Sequence, residues 1–408
     1  MRDILAPESG RWRRFTDVFS DIVGSAGYQM VIPPIMEDLG VFSRLGTATD
    51  VVTKEMYDFF DKGDRHVALR PEQTASVCRA FVEHRPPTPW KAWYSGPNFR
   101  YEKPQRGRYR QFDQVGIEVL GADDPYLDVE VIGLAWNFFV ALGLQQVDLL
   151  VNSLGEPDDR ARYVEALRLY FESHSADLSE QSRVTLAKNP LRVLDSKRGP
   201  DAPIVAGAPT IADFWSEPAA SHFSSVQAGL TEIGIPFRVD LKLVRGLDYY
   251  RHTTFEFQGG TLDSAQNALG GGGRYDGLVE ALGGPPTAGI GFALGVDRTL
   301  LACDDEGVFE APNQAVDVFV VDTTGGREAM LLTSQLRGAG VSADRPFENR
   351  SMKSQMKAAD RSGATYAVII GTDERDAGTV VVRPLRGDGQ QFVVARADVL
   401  SDLQSRLQ

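Results

Sequence analysis

The sequence predicts a mixed α/β chain in two parts, a long N-terminal region built around an antiparallel hairpin and a shorter C-terminal α/β region. Three observations carry this. The run FRYEKPQRGRYRQFDQVGIEVLG around Arg100 has the alternation and central polar loop of a long hairpin. From about Gly155 to Gly234 strand signals vanish and helical periodicity takes over, which reads as a helical insertion. Beyond a linker-like stretch containing Pro312, strand and helix patterns alternate to the end. The expected regions are 1–310, with the insertion at about 156–234, and 311–408. A chain of 408 residues has ample apolar surface for such cores without covalent staples.

The first element is a helix from Glu8 to about Ala26, because Trp12, Phe15, Val18, Phe19, Ile22 and Val23 recur at helical spacing and Gly27 ends the run. YQMVIPPIMED then reads as an extended strand. Pro33 and Pro34 remove two backbone donors, which suits a sheet edge or an interface. In the hairpin from Trp93 to Gly121, Val115, Ile117 and Val119 share one face, and Gln114, Gly116 and Glu118 share the other. A glycine between two polar side chains leaves room for a ligand on that face. In the insertion, Tyr163, Ala166, Leu167, Tyr170 and Phe171 form one helical stripe and read as core. Strand signals return at Ile235 to Leu243. GGGGRYDGL and GIGFALG look like phosphate-cradling loops, yet neither sits in a βαβ unit, so a dinucleotide-binding reading fails; GIGFALGVDRTLL reads instead as a strand running into a helix. The C-terminal region reads as strand VDVFVVD, helix, short strand near Val341, helix, strands TYAVIIG and TVVVRPL, and a last helix from about Ala397.

The net charge of −13 is unevenly spread: residues 315–408 hold twelve basic and twelve acidic side chains, so the preceding part carries all of it. An acidic chain can still meet a polyanion through local basic surface. Two cysteines, Cys78 and Cys303, make neither a disulfide framework nor a zinc site, and five scattered histidines give no metal-binding spacing. A reducing compartment and no structural metal are expected. No apolar run has membrane-spanning length, and MRDILAPESGRWRRF lacks the apolar core of a signal peptide, so the expected location is the cytoplasm.

The chemistry should lie where Arg100 and Arg245 stand in aromatic, strand-like runs, since a half-buried arginine needs an anion and two on one sheet suit a phosphate group. The loop between the hairpin arms adds Lys103, Arg106, Arg108 and Arg110, which read either as a solvated basic loop or as a nucleic-acid or triphosphate contact. Arg298 reads either as a salt-bridge partner or as a cation on a nucleotide.

Together these segments resemble a known family. The edge run with Pro34, the hairpin around Arg100 and GIGFALGVDR are similar to the three motifs of class II aminoacyl-tRNA synthetases; LRPEQT, VNSLG, NPLRVLDSK, LVRGLDYY and GGGGRYDGL resemble the histidyl-tRNA synthetase family within that class. The resemblance spans essentially the whole chain. It implies a class II antiparallel-sheet catalytic domain with a helical insertion and a C-terminal α/β anticodon-binding domain. It further implies ATP-dependent ligation of L-histidine to tRNA(His) through a histidyl-adenylate, with Mg²⁺, in a homodimer. By the same resemblance, Arg100, Glu102, Arg108 and Arg298 bind ATP, and Glu72, Thr74 and Gln114 take the α-amino group. Glu118, Tyr250 and Tyr275 read the imidazole, Arg245 is the catalytic arginine with Arg100, and Gln105 and Arg106 meet the tRNA acceptor end. The alternatives are a histidine-binding regulatory paralogue of ATP phosphoribosyltransferase, a tRNA-sensing pseudo-synthetase, and a class II synthetase for another amino acid. RGLDYY and the retained arginines argue against them.

Overall fold

The computed structural model describes all residues except 44–53, 104, 195, 197, 244–248, 263–266, 313–314, 349, 388 and 408. The chain divides into two compact units, Met1–Ala311 and Pro312–Gln408.

In chain order the strands of the first unit are β1 (Gln29–Met30), β2 (Met36–Asp38), β3 (Tyr57–Phe60), β4 (His66–Leu69), β5 (Trp90–Phe99), β6 (Gln111–Leu120), β7 (Val147–Ser153), β8 (Arg238–Val239), β9 (Arg251–Gly259), β10 (Ala268–Arg274) and β11 (Gly289–Gly295). Its α-helices are α1 (Glu8–Ser25), α2 (Leu39–Ser43), α3 (Thr74–His84), α4 (Pro125–Ala141), α5 (Pro157–Ser173), α6 (Glu180–Lys188), α7 (Ala202–Ala206), α8 (Glu217–Glu232), α9 (Leu278–Ala281) and α10 (Val296–Glu306). Eight strands form one sheet in the order β1-β5-β6-β11-β10-β9-β7-β8, antiparallel except for the two-residue outer strands, which pair parallel. A small antiparallel sheet, β2-β4-β3, stands apart from it.

The two faces of the large sheet differ as the alternation in β6 requires. Val115, Ile117 and Val119 pack with Phe255, Phe257, Phe292 and Leu294 against Phe15 and Phe19 of α1, Phe138 of α4, and Phe223 and Leu230 of α8. Phe19 is central, its ring 5.1 Å from that of Phe138 and 6.1 Å from that of Phe292, both edge-on. Truncating such a residue costs about 3–5 kcal/mol, so this layer fixes the sheet whose opposite face carries Gln114, Gly116 and Glu118.

Three expectations need correction. YQMVIPPIMED is not one strand: the prolines split it into β1 and β2, which belong to different sheets. The carbonyls freed at Pro33 and Pro34 accept from buried Arg70, at 2.8 and 3.4 Å. GGGGR is strand β10 and not a phosphate-cradling loop; its partner GIGFALG is strand β11 and runs into α10, as its pattern indicated. The helical stretch does not form one body either. Tyr163, Leu167, Phe171, Leu186, Leu191 and Ile211 share a core of their own, while Phe223, Val226 and Leu230 of α8 join the main core. An apolar stripe shows that a helix packs, without showing against what.

The second unit has strands β12 (Val318–Asp322), β13 (Ala343–Asp344), β14 (Tyr366–Ile370), β15 (Thr379–Pro384) and β16 (Phe392–Ala395), and helices α11 (Arg327–Gly338), α12 (Met352–Arg361), α13 (Thr372–Ala377) and α14 (Val399–Leu407). The sheet order is β13-β12-β14-β15-β16, with the first three strands parallel and the last two antiparallel. Val318, Val320, Leu332, Leu336 and Leu403 fill one side, and Phe319, Val321, Ala359 and Ile369 the other. The sequence reading missed α13, a six-residue polar helix with no buried residue, and β16, an apolar strand of four residues.

Candidate active site

On the polar face of the large sheet a cleft enclosing about 1020 Å³ of non-protein space brings together Glu72, Thr74, Arg100, Glu102, Arg108, Gln114, Tyr250, Tyr275 and Arg298. These residues come from six places in the chain, and the sheet is what gathers them. Arg100 follows β5, Gln114 lies on β6, Tyr275 follows β10, and Arg298 stands in the first turn of α10, directly after β11.

One end of the cleft is cationic. The Arg100 Nε donates to the Pro71 carbonyl at 2.9 Å, and its guanidinium lies 5.4 Å from the Phe112 ring. Arg108 pairs with Glu102. Arg298 donates to the carbonyls of Gly107 and Ala268, at 3.2 and 3.0 Å. Burial, then Arg108 and Arg100, press the Arg298 pKa down, and burial, with Arg100 opposing the Glu55 contribution, lowers that of Arg108. Guanidiniums that weaken one another in this way are under-compensated by the protein, and a polyanion between them relieves the repulsion.

The other end is built of carboxyls and hydroxyls. Glu118 is fully buried. Its Oε1 accepts from Thr74 Oγ1 at 2.7 Å and from the Tyr94 hydroxyl at 3.1 Å, and its Oε2 accepts from the Tyr275 hydroxyl at 2.5 Å. Burial pushes its pKa up to about 8; Glu72 adds to this, and the three hydroxyls oppose it. Glycine makes the seat possible: a Cβ at Gly291, the cross-strand neighbour of Glu118, would lie 1.9 Å from Oε2. A Cβ at Gly289 would likewise lie 2.4 Å from the Tyr275 ring.

Glu72 and Thr74 stand at the start of a helix and not on an extended segment. Thr74 opens α3, and the Glu72 carboxyl caps that helix by accepting from the Thr74 and Ala75 amides at 2.7 and 3.0 Å. Burial raises the Glu72 pKa against these bonds and Arg100. Gln114 accepts from buried Asn98 at 2.8 Å. Tyr250 is buried beside Tyr249, whose ring is 5.9 Å from that of Tyr275. Gln105 and Arg106 are exposed on the turn between β5 and β6, where Gln105 and Arg108 exchange backbone bonds and Arg106 pairs with Asp305 at 3.1 Å. Arg245 falls outside the described residues.

The profile of a family described as Histidyl-tRNA synthetase matches residues 1–299, and one described as Anticodon binding domain matches residues 316–406. The chain belongs to the histidyl-tRNA synthetase family. It is 47% identical to the Histidine–tRNA ligase of Rhodococcus erythropolis, over 98% of this chain and 95% of that one. It is 44% identical to the Histidine–tRNA ligase of Halothermothrix orenii, over 98% and 97%. The apo crystal structure of the S. aureus histidyl-tRNA synthetase superposes with a TM-score of 0.84 at 35% identity, covering 99% of this chain and 98% of that one. The class II architecture expected from the motifs is therefore the architecture of the family.

Several lining residues escaped the sequence reading. Phe112 and Tyr109 form walls, and Asp113 faces Asp297; burial and Asp297 push the Asp113 pKa up to about 6. Asp297 is held by Arg2 at 3.3 Å, whose guanidinium lies 5.2 Å from the Tyr109 ring. Nothing local in MRDIL marks Arg2 for this place. Tyr94 was legible in principle, because it stands opposite Gly116 in the β5–β6 register. The space left by that glycine holds the Tyr94 phenol, which a Cβ would meet at 2.5 Å, and not a ligand as the sequence reading expected.

Proposed function

We propose that this cleft activates L-histidine with ATP and passes the histidyl group to tRNA(His), the reaction by which a member of this family acts as a histidine–tRNA ligase. The observation that carries the reading is the convergence of Arg100, Arg108 and Arg298 at one end of a cleft whose other end is lined by Thr74 and Tyr275 and backed by the buried Glu118 carboxyl that they bond. Arg100 is proposed for the α-phosphate, Glu102 for the adenine end, and Arg108 and Arg298 for the outer phosphates. Glu72, Thr74 and Gln114 take the amino group, and Glu118, Tyr250 and Tyr275 the ring. Arg245 completes the set as a second catalytic arginine, on the strength of the motif alone. Mg²⁺ arrives with the nucleotide.

The substrate carboxylate is already an anion, so its attack on the α-phosphorus needs no general base and no enzyme nucleophile. It needs in-line placement and cations on the phosphoryl oxygens and the departing pyrophosphate. The tRNA ribose hydroxyl then attacks the adenylate carbonyl and AMP leaves. A site that bonds both ring nitrogens leaves buried groups unpaired with any other side chain, which gives discrimination of about 10⁴ without editing. Gln105 and Arg106, exposed on the loop between β5 and β6, are proposed for the acceptor end, and the second unit for the anticodon. The apolar side chains Ile32 and Ile35, exposed in the segment that follows the outer strand β1, favour a homodimer. Among the described residues no helix is long and apolar enough to cross a membrane, and the proposed setting is the cytoplasm.

The test is exchange of labelled pyrophosphate into ATP with each of the twenty amino acids, without tRNA. Exchange with histidine alone is the expected result. Histidine binding with no exchange would overturn the adenylation reading.

A further inference from the structure

We propose that Tyr94 is a positioning residue for substrate histidine, holding from behind the Glu118 carboxyl, which bonds Thr74 and Tyr275 on the cleft wall. The proposal rests on Glu118 reading the imidazole, as argued above. Neither Tyr94 nor Glu118 lines the cleft: both are fully buried, and Tyr94 connects to the cleft wall through Glu118, which bonds Thr74 and Tyr275, and through Thr74 itself.

Three hydroxyls hold Glu118, and they are not equivalent. Thr74 and Tyr275 line the cleft, where an incoming amino acid competes for their hydroxyls. Tyr94 lies outside that competition, so its bond to Oε1 persists whether the cleft is empty or filled. Two further features keep the phenol there. Gly116, its cross-strand partner, has no side chain, and a Cβ at that position would meet both the phenol oxygen and Cζ at 2.5 Å. Val77 and Ala92 pack with the ring in a small core of their own. A buried tyrosine whose hydroxyl bonds the Glu118 carboxyl and the Thr74 hydroxyl that also holds it, above a glycine, is an arrangement for aiming that carboxyl.

The groups that face Glu118 are Glu72 and Cys78 across α3, Tyr94 from β5, and Tyr249 and Tyr275 from the segments flanking β9 and β10, with Tyr28 beyond. Each hydroxyl bond favours the ionised carboxyl against burial and the like charge of Glu72. Removing the Tyr94 hydroxyl therefore has a defined sign: the proton on Glu118 is held more tightly.

The experiment is pyrophosphate exchange by the full chain carrying Tyr94→Phe, which keeps the ring and removes the hydroxyl. The kcat/KM for histidine should fall about tenfold, the scale of one hydrogen bond to a charged group, while KM for ATP stays unchanged. The inflection in the pH profile of kcat/KM for histidine reports the free enzyme and should move upward. An unmoved inflection in Tyr94→Phe, or a matching rise in KM for ATP, would overturn the proposal by marking a general packing defect. Absence of histidine-dependent exchange in the unsubstituted chain would defeat the reading of Glu118 itself, and this proposal with it.

Discussion

The two ends of the cleft are made from opposite materials. At the end proposed for histidine a buried carboxyl accepts from the hydroxyls of Thr74, Tyr94 and Tyr275, all within 3.1 Å. At the phosphate end the guanidiniums of Arg100, Arg108 and Arg298 crowd one another. The first end is nearly complete before any ligand arrives, so it can select by leaving a mismatched group unpaired. The second gathers three guanidiniums, which suits it to bind an anion and to stabilise more charge as a transition state develops. On the proposed reading selection and catalysis are separated along one sheet, and substitutions at the two ends should fail in different ways.

The sharpest break is at the phosphate end. Arg100→Ala should lower histidine-dependent pyrophosphate exchange by at least about 10², with Arg245→Ala similar, the scale for losing one donor to a developing charge. Calorimetric histidine binding should survive in Arg100→Ala; its loss would show that the ends are not separable. Next in size is Gly291→Ala, which puts a methyl group where the Glu118 carboxyl sits. KM for histidine should rise at least about tenfold, as expected for displacing a charge-assisted contact, with KM for ATP little changed, and equal damage to both constants would erase the distinction.

A smaller effect concerns stability. The folded pKa of Glu118, about 8, lies above the usual carboxyl value. The folded state therefore keeps a proton that the unfolded chain has released. The sign follows: this contribution is fully present at acid pH, below the unfolded pKa, and is lost as pH rises through about 8. Without ligands, the melting temperature of the unsubstituted chain should fall relative to Glu118→Gln over that range, and a constant difference would contradict the assigned ionisation. The smallest change is Arg106→Ala. Its exposed pair with Asp305 should contribute under about 1 kcal/mol to stability. KM for tRNA should rise with amino-acid activation intact, measured by aminoacylation beside exchange.

The layers of the fold were legible because alternation and helical spacing report which face is buried. Val115, Ile117 and Val119 announced the core side of β6, and Phe15 and Phe19 that of α1. What the sequence concealed were relations between distant segments. Nothing in YQMVIPPIMED says that its two halves enter different sheets, and nothing in the α8 stripe says that its partner is α4. In the cleft, Arg100 and Arg298 stood out because arginine is conspicuous in apolar surroundings. Tyr94 did not, since a tyrosine in a strand is ordinary until the register sets it against Gly116 and Glu118.

The floor of the histidine end rests on what three positions omit. Gly116, Gly289 and Gly291 each face an atom that a Cβ would approach within 2.5 Å. Every other amino acid carries that carbon, so no substitution at these positions is a small step, and none can be tried at low cost on the way to a better one. Walls such as Phe112 or Tyr109 can drift through similar side chains and retune the cleft by degrees. The floor has no neighbouring sequences to drift into, and a lineage that needed a different amino acid in this pocket would have to reshape it from the walls inward.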